Sequence, residues 1–319
     1  MGVMVDGEWH DAWYDTEATD GRFIRAQAQF RNWITANGSP GPSGEGGFTA
    51  AADRYHLYIG NACPWAHRTA IFRTLKGLAE MIPMSVVHWH MAAGGWTFAA
   101  GDGVVPDPIH NAEFTHEIYR AADPKYSGRV TIPILWDKKN NTIVSNESSE
   151  IIRMFNCAFD NLGASPGDYY PQALRDDIDS INARVYDTLN NGVYKCGFAT
   201  SQAAYDEAIT PLFETLDWLE NMLSDRTYLL GDTITEADWR LFTTLIRFDP
   251  VYVGHFKCNI RRLVDYPNLS RLTQMLYTHP GVAATINMSH IKNHYYGSHE
   301  SINPSRVVPA GPASHIGAE

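Results

Sequence analysis

One stretch constrains the fold of this chain more than any other: a short strand pattern that turns into a helix at a cysteine-proline pair. Arg54-Tyr55-His56-Leu57-Tyr58-Ile59 has the aromatic and β-branched content of a strand, and Gly60-Asn61-Ala62-Cys63 turns it. Pro64 suits the first turn of a helix, where no amide donor is needed, and Ala70, Ile71, Phe72 and Leu75 carry the helix on. A second strand is predicted at Ser85-Val86-Val87-His88-Trp89-His90. Thr131-Ile132-Pro133-Ile134-Leu135-Trp136-Asp137 and Thr142-Ile143-Val144-Ser145 read as a hairpin turning at Asn140-Asn141, with a helix from 147 to about 155. Residues 91–128 are punctuated by Gly and Pro and read as an irregular insertion, long enough to be functional or a lid.

From Pro171 onward apolar residues recur every three or four positions, as in Pro211-Leu212-Phe213-Glu214-Thr215-Leu216-Asp217-Trp218-Leu219, so the second half is predicted to be all helical. Thr235-Glu236-Ala237-Asp238 has the form of a capping box, with Thr235 accepting from first-turn amides and Asp238 reaching back. The expected organisation is an N-terminal extension at 1–47, an α/β domain at 48–165 holding the insertion near 91–128, an all-α domain at 166–303 and a tail at 304–319. The extension is aromatic-rich but irregular and ends in Asn37-Gly38-Ser39-Pro40-Gly41-Pro42-Ser43-Gly44; the tail is rich in Pro, Ala and Gly. A length of 319 residues accommodates two domains.

Composition removes several function classes. No apolar run approaches the ~18 residues that span a bilayer, so no membrane partner is expected. A net charge of −11 without a Lys/Arg cluster argues against nucleic acid. The first residues lack a basic segment followed by an apolar one, and Asp6 stands where a myristoylation signal needs Ser or Thr, so a cytoplasmic location is expected. Cys63, Cys157, Cys196 and Cys258 form no CxxC pair, and the histidines show no HExxH or similar spacing, so neither a disulfide scaffold nor a metal site is expected.

The chemistry centres on Cys63. A thiolate at the amino end of a helix is stabilised by free amides and the positive end of the macrodipole. Two-thiol oxidoreductases place a resolving cysteine three residues on, but here that residue is Ala66. A lone thiol caught in a mixed disulfide needs an external thiol for release, and glutathione is the abundant cellular candidate. His67 and Arg68 read as packing or helix-surface residues able to favour the thiolate further. Gly163-Ala164-Ser165-Pro166-Gly167 matches the G-x-S-x-G string of serine hydrolases but lacks the strand before it and the helix after it, and is rejected.

Cys63-Pro64-Trp65-Ala66-His67-Arg68, Thr131-Ile132-Pro133 and Asn146-Glu147-Ser148-Ser149-Glu150 together resemble cysteine-type glutathione transferases. Asn191-Gly192-Val193-Tyr194-Lys195, Phe248-Asp249-Pro250-Val251-Tyr252, His255-Phe256-Lys257-Cys258 and Ile291-Lys292-Asn293-His294-Tyr295-Tyr296 with Ile302-Asn303-Pro304 are similar to the Xi class, the S-glutathionyl-hydroquinone reductases. The resemblance implies an α/β thioredoxin-like N-terminal domain followed by an all-α C-terminal domain, with glutathione as co-substrate, no metal, a glutathionylated hydroquinone as substrate, and a homodimer. It implies a cis bond before Pro133, with Ile132 pairing the cysteinyl part of glutathione. Glu147 and Ser148 meet the γ-glutamyl end, although an ordinary N-cap alone also explains Ser148. Trp96 and Arg129 are further glutathione contacts, Arg129 meeting the glycyl carboxylate. Cys63, Tyr194 and Tyr295 are the implied catalytic residues, with Tyr252 as a third phenol at the hydroquinone. An Omega-like thiol transferase or dehydroascorbate reductase, and a noncatalytic binding protein of the same fold, are the alternatives.

Overall fold

The computed structural model describes residues 2–313 and 316–317. The chain forms two compact units, each assembled from separated stretches. The first takes the residues up to Trp13, Ala26–Gly167 and Ala284–His294; the second takes Tyr14–Arg25, Asp168–Ala283 and the chain from Tyr295 onward.

The first unit is built on a four-stranded sheet containing β3 (Tyr55–Ile59), β4 (Met84–Val86), β6 (Ile134–Asp137) and β7 (Thr142–Ser145), in the order β4-β3-β6-β7. β3 runs parallel to β4, with Tyr58 opposite Ser85, and antiparallel to β6, with Leu57 opposite Leu135. Every residue of β3 is buried, as a strand covered on both faces requires. Helix α1 (Pro64–Leu75) packs against α3 (Ser148–Cys157) and β3. The hairpin of β6 and β7 turns through Asn141, whose φ of 51° is a conformation asparagine tolerates. The strand predicted over 85–90 is shorter: the Val87 amide makes a last bond to the Ile59 carbonyl of β3, and the His88 amide bonds instead to the Thr97 carbonyl.

Two stretches read as irregular carry structure. β1 (Val3–Val5) and β2 (Glu8–His10) form a hairpin through Asp6 and Gly7, with φ of 48° and 81°, and β1 also pairs with β5 (Gly128–Arg129). Positive φ at both turn residues is what Asp-Gly supplies in a two-residue hairpin. Residues 91–128 contain α2 (Thr115–Ala122), and Trp96, Phe98, Ile118, Tyr119 and Tyr126 are buried in one hydrophobic cluster with Tyr58, Ile134 and Trp136. That stretch contributes these side chains to the core, while outside α2 it is mostly irregular, as read.

The second unit is helical: α4 (Arg175–Val185), α5 (Gly192–Gly197), α6 (Gln202–Met222), α7 (Glu236–Arg247) and α8 (Pro267–Tyr277). The boundary between the units falls inside α9 (Met288–Ser298), after His294. Two widened π turns interrupt the regular helices, at Tyr186–Asn190 before α5 and at Phe248–Tyr252 after α7. In each, an amide bonds to the carbonyl five residues back, Asn191 to Tyr186 and Val253 to Phe248, both at 2.9 Å. Pro250 explains the second, since proline has no amide to donate and its ring would clash with the carbonyl four residues earlier.

The capping box forms as read. Asp238 accepts from the Thr235 amide at 2.9 Å and hydroxyl at 3.2 Å, and from the Leu229 amide at 2.9 Å. Burial pushes its carboxyl up to about 6, against three donors that favour the charged form. The folded state therefore binds this proton more tightly than the unfolded chain, so this group makes stability fall as pH rises between 3.8 and about 6. Asp238→Ala is expected to cost about 1–3 kcal/mol by orphaning buried donors. Thermal unfolding at two pH values checks both the loss and the missing slope.

Candidate active site

Cys63 is the N-cap residue of α1, with Pro64 at the first helical position. Its backbone is fixed at both ends, the amide donating to the Gly60 carbonyl and the carbonyl accepting from the His67 amide, each at 3.0 Å. The half-buried side chain lies at the end of the helix where first-turn amides lack intrahelical partners. Its Sγ is 3.6 Å from the Ile132 carbonyl oxygen, and the Ile132–Pro133 bond is cis as expected. Gly60 permits this approach: a Cβ there would fall 2.6 Å from Ile132 Cδ1 and 2.9 Å from Val87 Cγ2. Ala66 is fully buried at the position of the missing second thiol.

Trp96 belongs to the hydrophobic cluster that holds Ala62 and Ile132, with Cys63 packed against its margin. The indole stacks on His294, with ring centroids 4.6 Å apart at 25°. His294 Nδ1 lies 2.8 Å from the Trp89 carbonyl, which can only accept, so that nitrogen carries the hydrogen. This partner of Trp96 was not singled out in the sequence, because nothing local in Ile291-Lys292-Asn293-His294-Tyr295-Tyr296 signals the stacking.

At α3 the cap is Glu147, not Ser148: the Glu147 carboxylate accepts from the Ser149 amide at 2.9 Å and hydroxyl at 2.8 Å. Ser148 is instead the first helical residue, buried, with its Oγ 3.5 Å from Arg68 Nη1. Arg68 is 1% exposed and lies 4.6 Å over the Trp65 ring. It is therefore a buried cation beside Ser148, not a helix-surface residue. His67 is likewise buried, its Nε2 2.8 Å from Thr285 Oγ1. Arg129, on β5, donates to the carbonyls of Ala12 and Trp13, the latter at 2.9 Å, and so ties the chain beyond β2 to the strand that pairs with β1.

In the second unit three tyrosines converge. Tyr295 Oη lies 2.6 Å from Tyr194 Oη and 3.2 Å from Tyr252 Oη, forming a chain of hydroxyls with Tyr295 in the middle. Tyr252 and Tyr295 are buried and Tyr194 is half-buried. Burial pushes the Tyr252 and Tyr295 phenols well above their ordinary range, so both stay protonated donors at neutral pH. Phe256 stacks on Tyr252 at 5.5 Å and 12° and meets Tyr194 edge-on at 5.5 Å. Both outer tyrosines follow from the widened turns: Tyr252 ends the second, and Tyr194 sits on α5 just beyond the first.

His299 Nδ1 lies 3.1 Å from His255 Nε2 in a packed aromatic cluster, and among the described residues no three His, Cys, Asp or Glu side chains group as metal ligands. Ser165 of the rejected hydrolase string sits in a loop, its amide bonded to the Lys76 carbonyl at 2.9 Å. No helix among the described residues is long and apolar enough to cross a membrane.

Comparison with known proteins matches the same framework. Residues 62–157 match the model of the glutathione S-transferase N-terminal domain, and residues 202–274 that of the C-terminal domain. The chain is 59% identical to glutathionyl-hydroquinone reductase PcpF of Sphingobium chlorophenolicum, over 99% of this chain and 98% of that one. The glutathione-bound structure of YqjG from Escherichia coli K-12 superposes with a TM-score of 0.92 at 54% identity, covering 99% of this chain and 97% of that one. Glutathione-S-transferase Xi of Phanerochaete chrysosporium gives 0.86 at 52% identity, over 91% and 97%. The chain belongs to the glutathione transferase family and, within it, to the Xi class of glutathionyl-hydroquinone reductases.

Proposed function

We propose that this protein reduces S-glutathionyl-hydroquinones to hydroquinones, with Cys63 as nucleophile and glutathione as the reductant. The observation that carries the reading is a single thiol at the amino end of α1, with Ala66 in place of a resolving cysteine. The Cys63 thiolate attacks the glutathionyl sulfur, and the carbon–sulfur electron pair passes to the aromatic carbon, which takes a proton and leaves as the hydroquinone. A second glutathione attacks the Cys63–glutathione disulfide, releasing glutathione disulfide and the thiolate. In this reading the hydroxyls of Tyr194 and Tyr295, with Tyr252 behind them, donate to the substrate oxygen as charge develops on it.

Several features support glutathione as co-substrate. The Ile132 backbone lies beside Sγ and can pair the cysteinyl peptide. The first turn of α3, with Ser148 and buried Arg68, suits the γ-glutamyl carboxylate. Glu147 serves the γ-glutamyl ammonium, and Trp96 walls the thiol region. A guanidinium has five N–H donors, so Arg129 can hold two carbonyls and still meet a glycyl carboxylate. We further propose a cytoplasmic homodimer.

Exposure to glutathionyl-hydroquinone without free glutathione is expected to give one glutathione adduct, confined to Cys63, with one equivalent of hydroquinone released. Intact-protein and peptide mass spectrometry read it out. Hydroquinone release without the adduct, or rapid dehydroascorbate turnover with glutathionyl-hydroquinone untouched, overturns the assignment.

A further inference from the structure

Arg25 has no part in the reaction as described, yet it is built against one of its phenols. The guanidinium lies 4.7 Å from the centroid of the Tyr194 ring and 5.3 Å from that of Phe23, and those two rings are 6.3 Å apart at 29°. Arg25 Nε donates to Asn191 Oδ1 at 2.7 Å. Asn191 is itself buried and anchored, its amide closing the first π turn on Tyr186 and its carbonyl accepting from Lys195 at 2.8 Å. A side chain held by the widened turn therefore fixes the cation over the ring.

A cation on a ring face is drawn to the π quadrupole, and the attraction grows as the phenol releases its proton and the ring gains negative charge. Tyr194 is the half-buried end of the hydroxyl chain, with Tyr295 and Tyr252 behind it. We propose that Arg25 is a positioning residue that, clamped by Asn191 over the face of Tyr194, strengthens the Tyr194 hydroxyl as a donor to the departing hydroquinone oxygen. This rests on the donor role given to Tyr194 above.

Other charged and titratable groups surround the same cluster. Arg247, fully buried, favours the ionised forms of Tyr252 and Tyr295. His255 is 6.4 Å and His299 5.5 Å from the Tyr295 ring, and burial pushes His255 down to about 4, so it is neutral at pH 7. Lys195, next to Tyr194 in sequence, is bound to Asp187 at 2.6 Å. Among the described residues, Arg25 is the cation seated on the Tyr194 face.

The test compares Arg25→Gln, Arg25→Lys and Asn191→Ala with the wild type by NMR of protein carrying 13Cζ-tyrosine, the Tyr194 signal being identified by its loss in Tyr194→Phe. Tyr194 is expected to titrate at higher pH in Arg25→Gln, with Arg25→Lys and Asn191→Ala shifted less in the same direction. For glutathionyl-hydroquinone, kcat of Arg25→Gln is expected to fall roughly tenfold with KM little changed. Should Arg25→Gln not fold, the other two variants carry the same comparison. An unmoved Tyr194 titration overturns the proposal whatever happens to the rate. A titration that moves while Tyr194→Phe keeps full kcat overturns the donor role of Tyr194, and with it the catalytic part of the proposal.

Discussion

Cys63→Ser is expected to lose glutathionyl-hydroquinone reduction by about three orders of magnitude or more, because the thiol at the amino end of α1 is the group that forms the mixed disulfide during turnover. A serine hydroxyl is a poor nucleophile toward sulfur, and its product would not be a disulfide that glutathione can cleave. The local fold has little reason to suffer. The bonds that fix position 63 run from its backbone to Gly60 and His67, while Sγ makes a long contact of 3.6 Å to the Ile132 carbonyl. Serine is also a favoured N-cap residue, so α1 should be at least as stable. Thermal unfolding and glutathione binding should both stay near wild type. Among the other thiols, buried Cys258 is pushed well above its ordinary range, and Cys196 is buried beside it. Cys157 is exposed and can be glutathionylated nonspecifically, so Cys157→Ser is the control. Activity of Cys63→Ser within tenfold of the wild type, or an adduct on Cys157 that tracks turnover, would rule out Cys63 as nucleophile.

Local grammar made the first half of this site legible. Strand, turn, cysteine and proline are contiguous, so the N-cap place of Cys63 could be read directly, as could the Thr235–Asp238 box. The β1–β2 hairpin carried an equally local signal in Asp6-Gly7, but strands of three residues give too little alternation to stand out beside an irregular neighbourhood. Residues 91–128 were harder, because Ile118 and Tyr119 are buried by Tyr58, Ile134 and Trp136, which are distant in sequence. The tyrosine chain is the clearest limit. Tyr194 and Tyr295 are 101 residues apart, and no pattern of period two or 3.6 brings their hydroxyls together. Only the resemblance of the quoted motifs pointed to them. The structure supplies the physical content of two of those motifs: Asn191-Gly192-Val193-Tyr194-Lys195 follows one π turn, and Phe248-Asp249-Pro250-Val251-Tyr252 is the other.

Tyr295→Phe should lower kcat for glutathionyl-hydroquinone by about a hundredfold with a smaller effect on KM, since the middle of the hydroxyl chain is lost. Truncating either end would leave one of the two hydroxyl contacts, 2.6 Å and 3.2 Å, in place; truncating the middle removes both. Because burial raises the Tyr252 and Tyr295 phenols well above their ordinary range, the protonated donors persist through neutral and mildly alkaline pH. These two groups should therefore impose no loss of wild-type kcat until the solution is strongly alkaline. The same substitution takes from the buried Tyr252 hydroxyl its 3.2 Å contact with Tyr295, a change worth roughly 1–3 kcal/mol of stability. A lower melting temperature is thus expected alongside the lower rate, and the two effects need separating. Tyr252→Phe combined with Tyr295→Phe removes both members of that pair, so the double variant should regain part of the lost stability but none of the lost rate. If rate and stability recovered together, Tyr295 would be a structural tyrosine and the proton would have to reach the hydroquinone by another route.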